Sequence, residues 1–142
     1  MKADLEKYLP KLKESAYEAM EKAYVPYSRF RVGAAVLTEK GNLYSGCNIE
    51  NASYGATNCA ERTAIFKAVA AGEQKITCLV VVSDLDKPIS PCGICRQVLK
   101  EFSKNATVCM IGKDGSEQRM SAEELLPSAF TKEDVTEEKH EF

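Results

Sequence analysis

Three of the six cysteines in this 142-residue chain stand in two short stretches, "NCAER" at 58–62 and "SPCGIC" at 90–95. Cys92 and Cys95 form a Cys-x-x-Cys pair that follows an apolar run and opens a predicted helix. Two-residue spacing lets both sulfurs reach one zinc ion. The same placement suits a dithiol redox pair, because the positive end of a helix dipole lowers thiol pKa. On this motif alone, zinc and redox chemistry stay equally open. Cys59 adds a third thiol, in the first turn of another predicted helix. If the two helix starts converge, three thiolates hold zinc with its fourth position open, as a catalytic site requires. A structural site would want a fourth cysteine. Cys47 is the candidate, but it has no partner at a spacing of two to four residues.

Glu61 and Arg62 each carry an ordinary reading beside a chemical one. With Asn58 as helix cap, Glu61 completes a capping box three residues on. Side chains in a helix tilt toward its N-terminus, so the same position aims Glu61 beyond the helix end, where a metal at Cys59 would sit. A carboxylate beside a zinc site that does not itself ligate the metal is what proton transfer needs. Arg62 is a surface charge by default, but three residues from Cys59 it is close enough in a helix to touch that thiolate. Cys78 and Cys109 lie inside "ITCLVVVS" and "ATVCMIG" and read as small core residues. The one histidine, His140, stands in a charged stretch and is not taken as a ligand.

The elements that must position these groups follow from periodicity. Leu5, Leu9, Leu12, Ala16, Ala19 and Ala23 recur at helical spacing, with Pro10 either near the helix start or at a kink. "FRVGAAVLTEKGNLYSGCNIE" reads as a hairpin turning at "EKGN". "NCAERTAIFKAVAAG" is a helix from cap Asn58 to terminator Gly72, and "ITCLVVVSD" a strand buried on both faces. "SPCGICRQVLKEFS" is a helix capped by Ser90 with Pro91 in its first position. A strand and second hairpin follow around Lys113-Asp114-Gly115, then a short helix boxed by Ser121 and Glu124. From about residue 131 the chain is a charged, solvated tail. The expected fold class is α/β, a three-layer α/β/α sandwich around a mixed sheet of about five strands. Residues 1–142 read as one domain, since no linker or repeat divides them.

A hydrophobic share of 44 % and a formal net charge of −2 describe a soluble globular chain without a basic stripe, so no nucleic-acid partner is expected. No apolar run reaches membrane-spanning length and the start lacks a signal-peptide core, which makes the cytoplasm the expected location.

Taken together, "NCAER" and "PCGICRQ" resemble the zinc-dependent cytidine deaminases, in the small branch whose metal is held by three cysteines. The resemblance runs from "YVPYSRFRVGAAV" through "GCNIENASYG" to "ELLPSAF", ending at Phe130. It implies Zn²⁺ held by Cys59, Cys92 and Cys95, and Glu61 as the proton carrier between water, the pyrimidine ring and departing ammonia. It further implies base-edge contacts from the Ala60 N–H and the Ser90 carbonyl, ribose-hydroxyl contacts from Asn48 and Glu50, and base packing by Phe30. Tyr54 and Phe130 look like residues that complete neighbouring sites across subunits, which implies a homotetramer. The implied activity is hydrolysis of cytidine and deoxycytidine in pyrimidine salvage. A deaminase of another aminopyrimidine nucleoside would share the metal motifs, and the Asn48/Glu50 pattern favours cytidine. A redox protein or a four-cysteine zinc module leaves Glu61 unexplained.

Overall fold

The computed structural model describes residues 2–139. His140 lies outside them. In chain order the elements are α1 (Lys2–Met20), β1 (Val32–Thr38), β2 (Leu43–Cys47), α2 (Ala60–Ala70), β3 (Ile76–Ser83), α3 (Gly93–Glu101), β4 (Thr107–Ile111), β5 (Glu117–Ser121), α4 (Ala122–Leu125) and α5 (Lys132–Lys139). The strands form one sheet in the order β2-β1-β3-β4-β5. Only the β3–β4 pair, joined through α3, is parallel.

Alternation along β3 explains the layers. Cys78, Val80 and Val82 face α1, against Leu9, Leu12 and Ala16. Leu79 and Val81 face the opposite side, against Ala64, Ile65 and Leu99 of α2 and α3. A central strand covered on both faces needs the continuous apolar run that β3 carries. Cys78 and Cys109 are buried there, as their settings imply.

Helix α1 passes through Pro10 rather than starting or ending at it. The reason is energetic. Proline inside a helix costs about 3 kcal/mol, whereas each buried Leu or Met contributes roughly 1.5–3 kcal/mol. Leu5, Leu9, Leu12, Ala16 and Met20 form the buried stripe, with Met20 in the place expected of Ala19. Pro10 points to solvent, so the carbonyl it leaves unpaired can meet water. The charged stretch expected as a solvated tail carries a helix that was not expected, α5 over residues 132–139. Thr131 and Asp134 bond each other across its first turn, and Glu133 and Asp134 there complement the helix dipole. Its residues 132–136 are nonetheless exposed. The Ser121–Glu124 capping box forms as read.

Helix α2 is held to β2 along its length. A Cβ added at Gly46 would lie 2.6 Å from the Ala64 nitrogen and 2.7 Å from the Thr63 Cβ, so only glycine lets strand and helix approach this closely. Beyond the helix end, Gly72 takes φ +95°, and the next residue, Glu73, is buried. Its carboxylate accepts hydrogen bonds from the Tyr44 hydroxyl at 2.6 Å and the Asn42 amide at 2.9 Å. Hydrogen bonding from Thr38, Tyr44 and Asn42 holds that carboxyl below the usual carboxylate range.

Gly46→Ala should lower the unfolding free energy by about 1–3 kcal/mol, as overpacking does. Gly55→Ala, where an added Cβ meets nothing within 4 Å, should stay within about 0.5 kcal/mol in the same urea titration. The depressed Glu73 carboxyl contributes stability that is fully present above its unfolded value of about 4.3 and is lost as pH falls through the lower folded value. The stability advantage of wild type over Glu73→Gln should therefore shrink progressively below about pH 4.

Candidate metal centre

The starts of α2 and α3 lie side by side, and each is capped by a cysteine. Cys59 caps α2 with φ −73° and ψ 155°, and Cys92 caps α3 with φ −67° and ψ 167°. This corrects the expected caps Asn58 and Ser90. Neither thiol makes a capping hydrogen bond. The extended cap conformation instead holds each sulfur at the helix end. Pro91, expected to open α3, precedes the cap and is buried. The shift also removes the capping-box reading of Glu61, which becomes the second helical residue, one short of the position a box needs.

Cys95, one turn into α3, completes the cluster. The Cys59 and Cys92 sulfurs are 3.7 Å apart and those of Cys92 and Cys95 3.5 Å, with all three inside 4.8 Å. Tetrahedral zinc with Zn–S bonds of about 2.3 Å places its sulfurs about 3.8 Å apart. The two shorter separations match that spacing, so the cluster fits zinc. Among the described residues it contains three thiols, and Cys47 is not one of them. Cys95 is buried, Cys59 half-buried and Cys92 exposed, so the open side faces outward.

Charge around the thiols is asymmetric. Arg62 donates from Nη2 to the Cys59 sulfur at 3.3 Å and reaches the Cys95 sulfur as well, while its buried Nε has no hydrogen-bond partner. Hydrogen bonding from Cys95, then from Arg62 and Cys92, lowers the Cys59 thiol to about 5. Cys95 moves the opposite way, because the thiol that donates to a thiolate keeps its own proton. Glu61 is 4 % exposed. Burial pushes its carboxyl up to about 7, and the neighbouring Cys59 charge pushes the same way. A carboxyl that exchanges its proton near neutral pH therefore adjoins the three sulfurs.

A β-bridge links this cluster to the other expected contacts. Ile49 and Asn58 exchange both backbone hydrogen bonds at 2.9 Å, so Asn48 and Glu50 flank a residue paired with the neighbour of Cys59. The Asn48 side chain accepts from Val32 N at 2.9 Å and donates to the Phe30 carbonyl at 2.8 Å. Glu50 accepts from the Tyr27 and Ser28 backbones and from the Ser28 hydroxyl. Phe30 is half-buried against the core. Ala60 is buried beside Cys59, and Ser90 is exposed two residues before Cys92. Tyr54 is 76 % exposed with its ring edge-on to Tyr27, and Phe130 is 59 % exposed. The bridge thus sets the Asn48–Glu50 segment beside the metal cluster, while the rings of Tyr54 and Phe130 are exposed.

Ser28, Arg96 and Gln97 carry contacts that no local pattern assigns to them. Arg96 donates to the Pro91 carbonyl at 2.7 Å and the Leu125 carbonyl at 2.8 Å, and Gln97 donates to the Phe130 carbonyl at 2.7 Å. The signal was their adjacency to the motif in "PCGICRQ". A groove of about 1150 Å³ lies elsewhere, between the start of α1, the β1–β2 turn and the end of α3. It holds none of the thiols or Glu61, so donor chemistry rather than volume locates this centre.

Fold and site together define a zinc-dependent hydrolase built on an α/β/α sandwich. Residues 7–111 match the family described as "Cytidine and deoxycytidylate deaminase zinc-binding region". The chain is 49 % identical over 134 residues to a cytidine deaminase of Sporosarcina psychrophila, covering 94 % of this chain and 96 % of that protein. It is 50 % identical over 125 residues to one of Halalkalibacterium halodurans, covering 87 % and 95 %. A crystal structure of cytidine deaminase from Burkholderia pseudomallei superposes with a TM-score of 0.81 at 50 % identity, over 84 % of this chain and 97 % of that one. The chain belongs to the cytidine and deoxycytidylate deaminase family.

Three thiolates leave a zinc site with about one negative charge, and Arg62 is the cation placed to offset it. Arg62→Gln should release zinc to a chelator about ten- to a hundredfold more readily, with the fold intact by circular dichroism. Retention equal to wild type would make Arg62 a bystander.

Proposed function

We propose that this protein catalyses the zinc-dependent hydrolytic deamination of cytidine and deoxycytidine to uridine and deoxyuridine plus ammonia, in pyrimidine salvage. The observation that carries the reading is the buried Glu61 carboxyl beside three convergent thiols with an outward-facing side. The names of the similar proteins agree with it.

Cys59, Cys92 and Cys95 hold the metal. Zinc bound there acts as a Lewis acid that makes water nucleophilic near neutral pH. Glu61 takes one proton from the water that adds to C4 of the pyrimidine and delivers it to ring N3. It then carries the second water proton to the exocyclic amine, so that the C4–N bond breaks and ammonia leaves while the C4 oxygen becomes the product carbonyl. A carboxyl that can both take up and return a proton suits both halves of this transfer. The Ala60 N–H and the Ser90 carbonyl read the base edge, Phe30 packs on the ring, and Asn48 and Glu50 bind sugar hydroxyls.

The exposed rings of Tyr54 and Phe130 support a homotetramer in which each protomer completes a neighbour's pocket. A short chain gains buried apolar surface by such association. No helix among the described residues is long and apolar enough to cross a membrane. That and the free cysteines accord with a cytoplasmic enzyme of one catalytic domain.

Cytidine turnover, followed by the fall in ultraviolet absorbance, should drop by about 10²–10⁴-fold in Glu61→Gln, the span of general acid–base catalysis, with zinc content unchanged. A variant that keeps the wild-type rate would remove Glu61 from the reaction. Light scattering should give a tetramer, and a fully active monomer would overturn that assignment.

A further inference from the structure

One hydroxyl serves both ends of the proposed nucleoside site. Ser28 Oγ donates its single hydrogen to Glu50 Oε2 and accepts the Phe30 N–H at 3.1 Å. The Tyr27 and Ser28 N–H groups donate to the other oxygen, Glu50 Oε1, at 3.0 and 3.1 Å. A carboxylate offers about four acceptor sites. Three are filled from the Tyr27–Ser28 segment, which leaves one, and the Ser28 bond determines which. The same bonds, the Ser28 hydroxyl first among them, hold the Glu50 carboxyl below its usual range, so at neutral pH it is an acceptor only.

The other half of the device is a turn. The Ser28 Oγ···H–N Phe30 bond closes a loop around Arg29, which sits at φ +60° in the left-handed region that residues with side chains rarely adopt. The Arg29 N–H to Val25 carbonyl bond, at 3.0 Å, secures the turn from the other side. Asn48 then fixes the Phe30 carbonyl. The placement of the Phe30 ring and the orientation of the Glu50 carboxylate therefore share one hinge group. Ser28 itself is exposed and lies outside both core clusters.

We infer that Ser28 is a positioning residue that sets sugar selectivity, by leaving Glu50 one acceptor site aimed at a sugar hydroxyl while holding the turn that presents Phe30. The inference rests on the proposed nucleoside deaminase function, in which Glu50 meets the sugar. Substrates with the hydroxyl gain from the aimed carboxylate, whereas substrates without it leave that acceptor unpaired.

The test compares wild type, Ser28→Ala, Ser28→Cys and Ser28→Thr on cytidine and on 2′,3′-dideoxycytidine, with zinc content and thermal unfolding measured for each. In Ser28→Ala the KM for cytidine should rise by about tenfold or more, the scale of one hydrogen bond to a charged group. Its kcat should change little, and the preference for cytidine over the dideoxy analogue should narrow by a similar factor. Ser28→Thr, which keeps the hydroxyl, should restore the preference. Ser28→Cys, nearly isosteric but a weak donor, should behave as Ala and decides the matter if Ala fails to fold. A preference unchanged in Ala and Cys, or a loss confined to kcat, overturns the role of Ser28 while leaving the deaminase reading intact. A zinc-loaded wild type inert toward cytidine overturns both.

Discussion

Three sulfurs must come within about 4 Å of one another, the spacing one tetrahedral ion imposes, and the rest of the molecule is arranged around that constraint. The 3.7 Å between the Cys59 and Cys92 sulfurs requires the starts of α2 and α3 to lie side by side. Each helix is held by something specific. Gly46 allows β2 to pack directly on the α2 backbone, and Glu73 fixes the chain just beyond its end. Helix α3 is bound through Arg96 to Pro91 on one side and to Leu125 on the other. Giving both caps to cysteines leaves the first N–H groups of two helices without side-chain partners, a cost of about 1 kcal/mol per cap in an ordinary helix.

Electrostatics adds a second constraint. The thiols favour negative charge, which opposes ionisation of a carboxyl beside them. Burial of Glu61 acts in the same direction, so its proton is retained to about pH 7. Arg62 acts directly on the thiols, because its Nη2 donates to sulfur, while its charge only partly offsets the rise at the carboxyl. Neighbouring residues on one helix turn thereby serve opposite ends, one holding a proton and the other steadying a thiolate.

Much of this was legible in the sequence, for identifiable reasons. The β3 run, the helix carrying Cys92 and Cys95, and the Ser121–Glu124 box announce themselves through local pattern, which tertiary contacts leave intact. The caps of α2 and α3 were misread because Asn58 and Ser90 are better cap formers than cysteine. The site overrides propensity to place sulfur there, and the Asn58 amide bonds Thr63 instead. Helix α5 was missed because its first turn is stabilised by Thr131 and Asp134 rather than by an apolar face. The bonds from Ser28 to Glu50 and from Arg96 to Leu125 were invisible for another reason, since they span 22 and 29 residues. No local pattern reports such contacts.

The exposed aromatic residues follow the same logic of fixed backbones. A side chain that projects into solvent is usually free to move, yet the backbones behind Tyr54 and Phe130 are tied down. Tyr54 opens a 3-10 turn in which Ala56 N–H and Thr57 N–H bond the Ser53 and Tyr54 carbonyls. Phe130 is gripped at its carbonyl by Gln97, next to the arginine that holds Pro91. The second ring is therefore referenced to α3, which carries Cys92 and Cys95. Anchoring the backbone before any surface is met lowers the ordering cost of a contact there, leaving only ring rotamers to be fixed. An exposed aromatic whose backbone is already fixed can bury its ring against a partner surface at a lower entropic cost than one on a free loop.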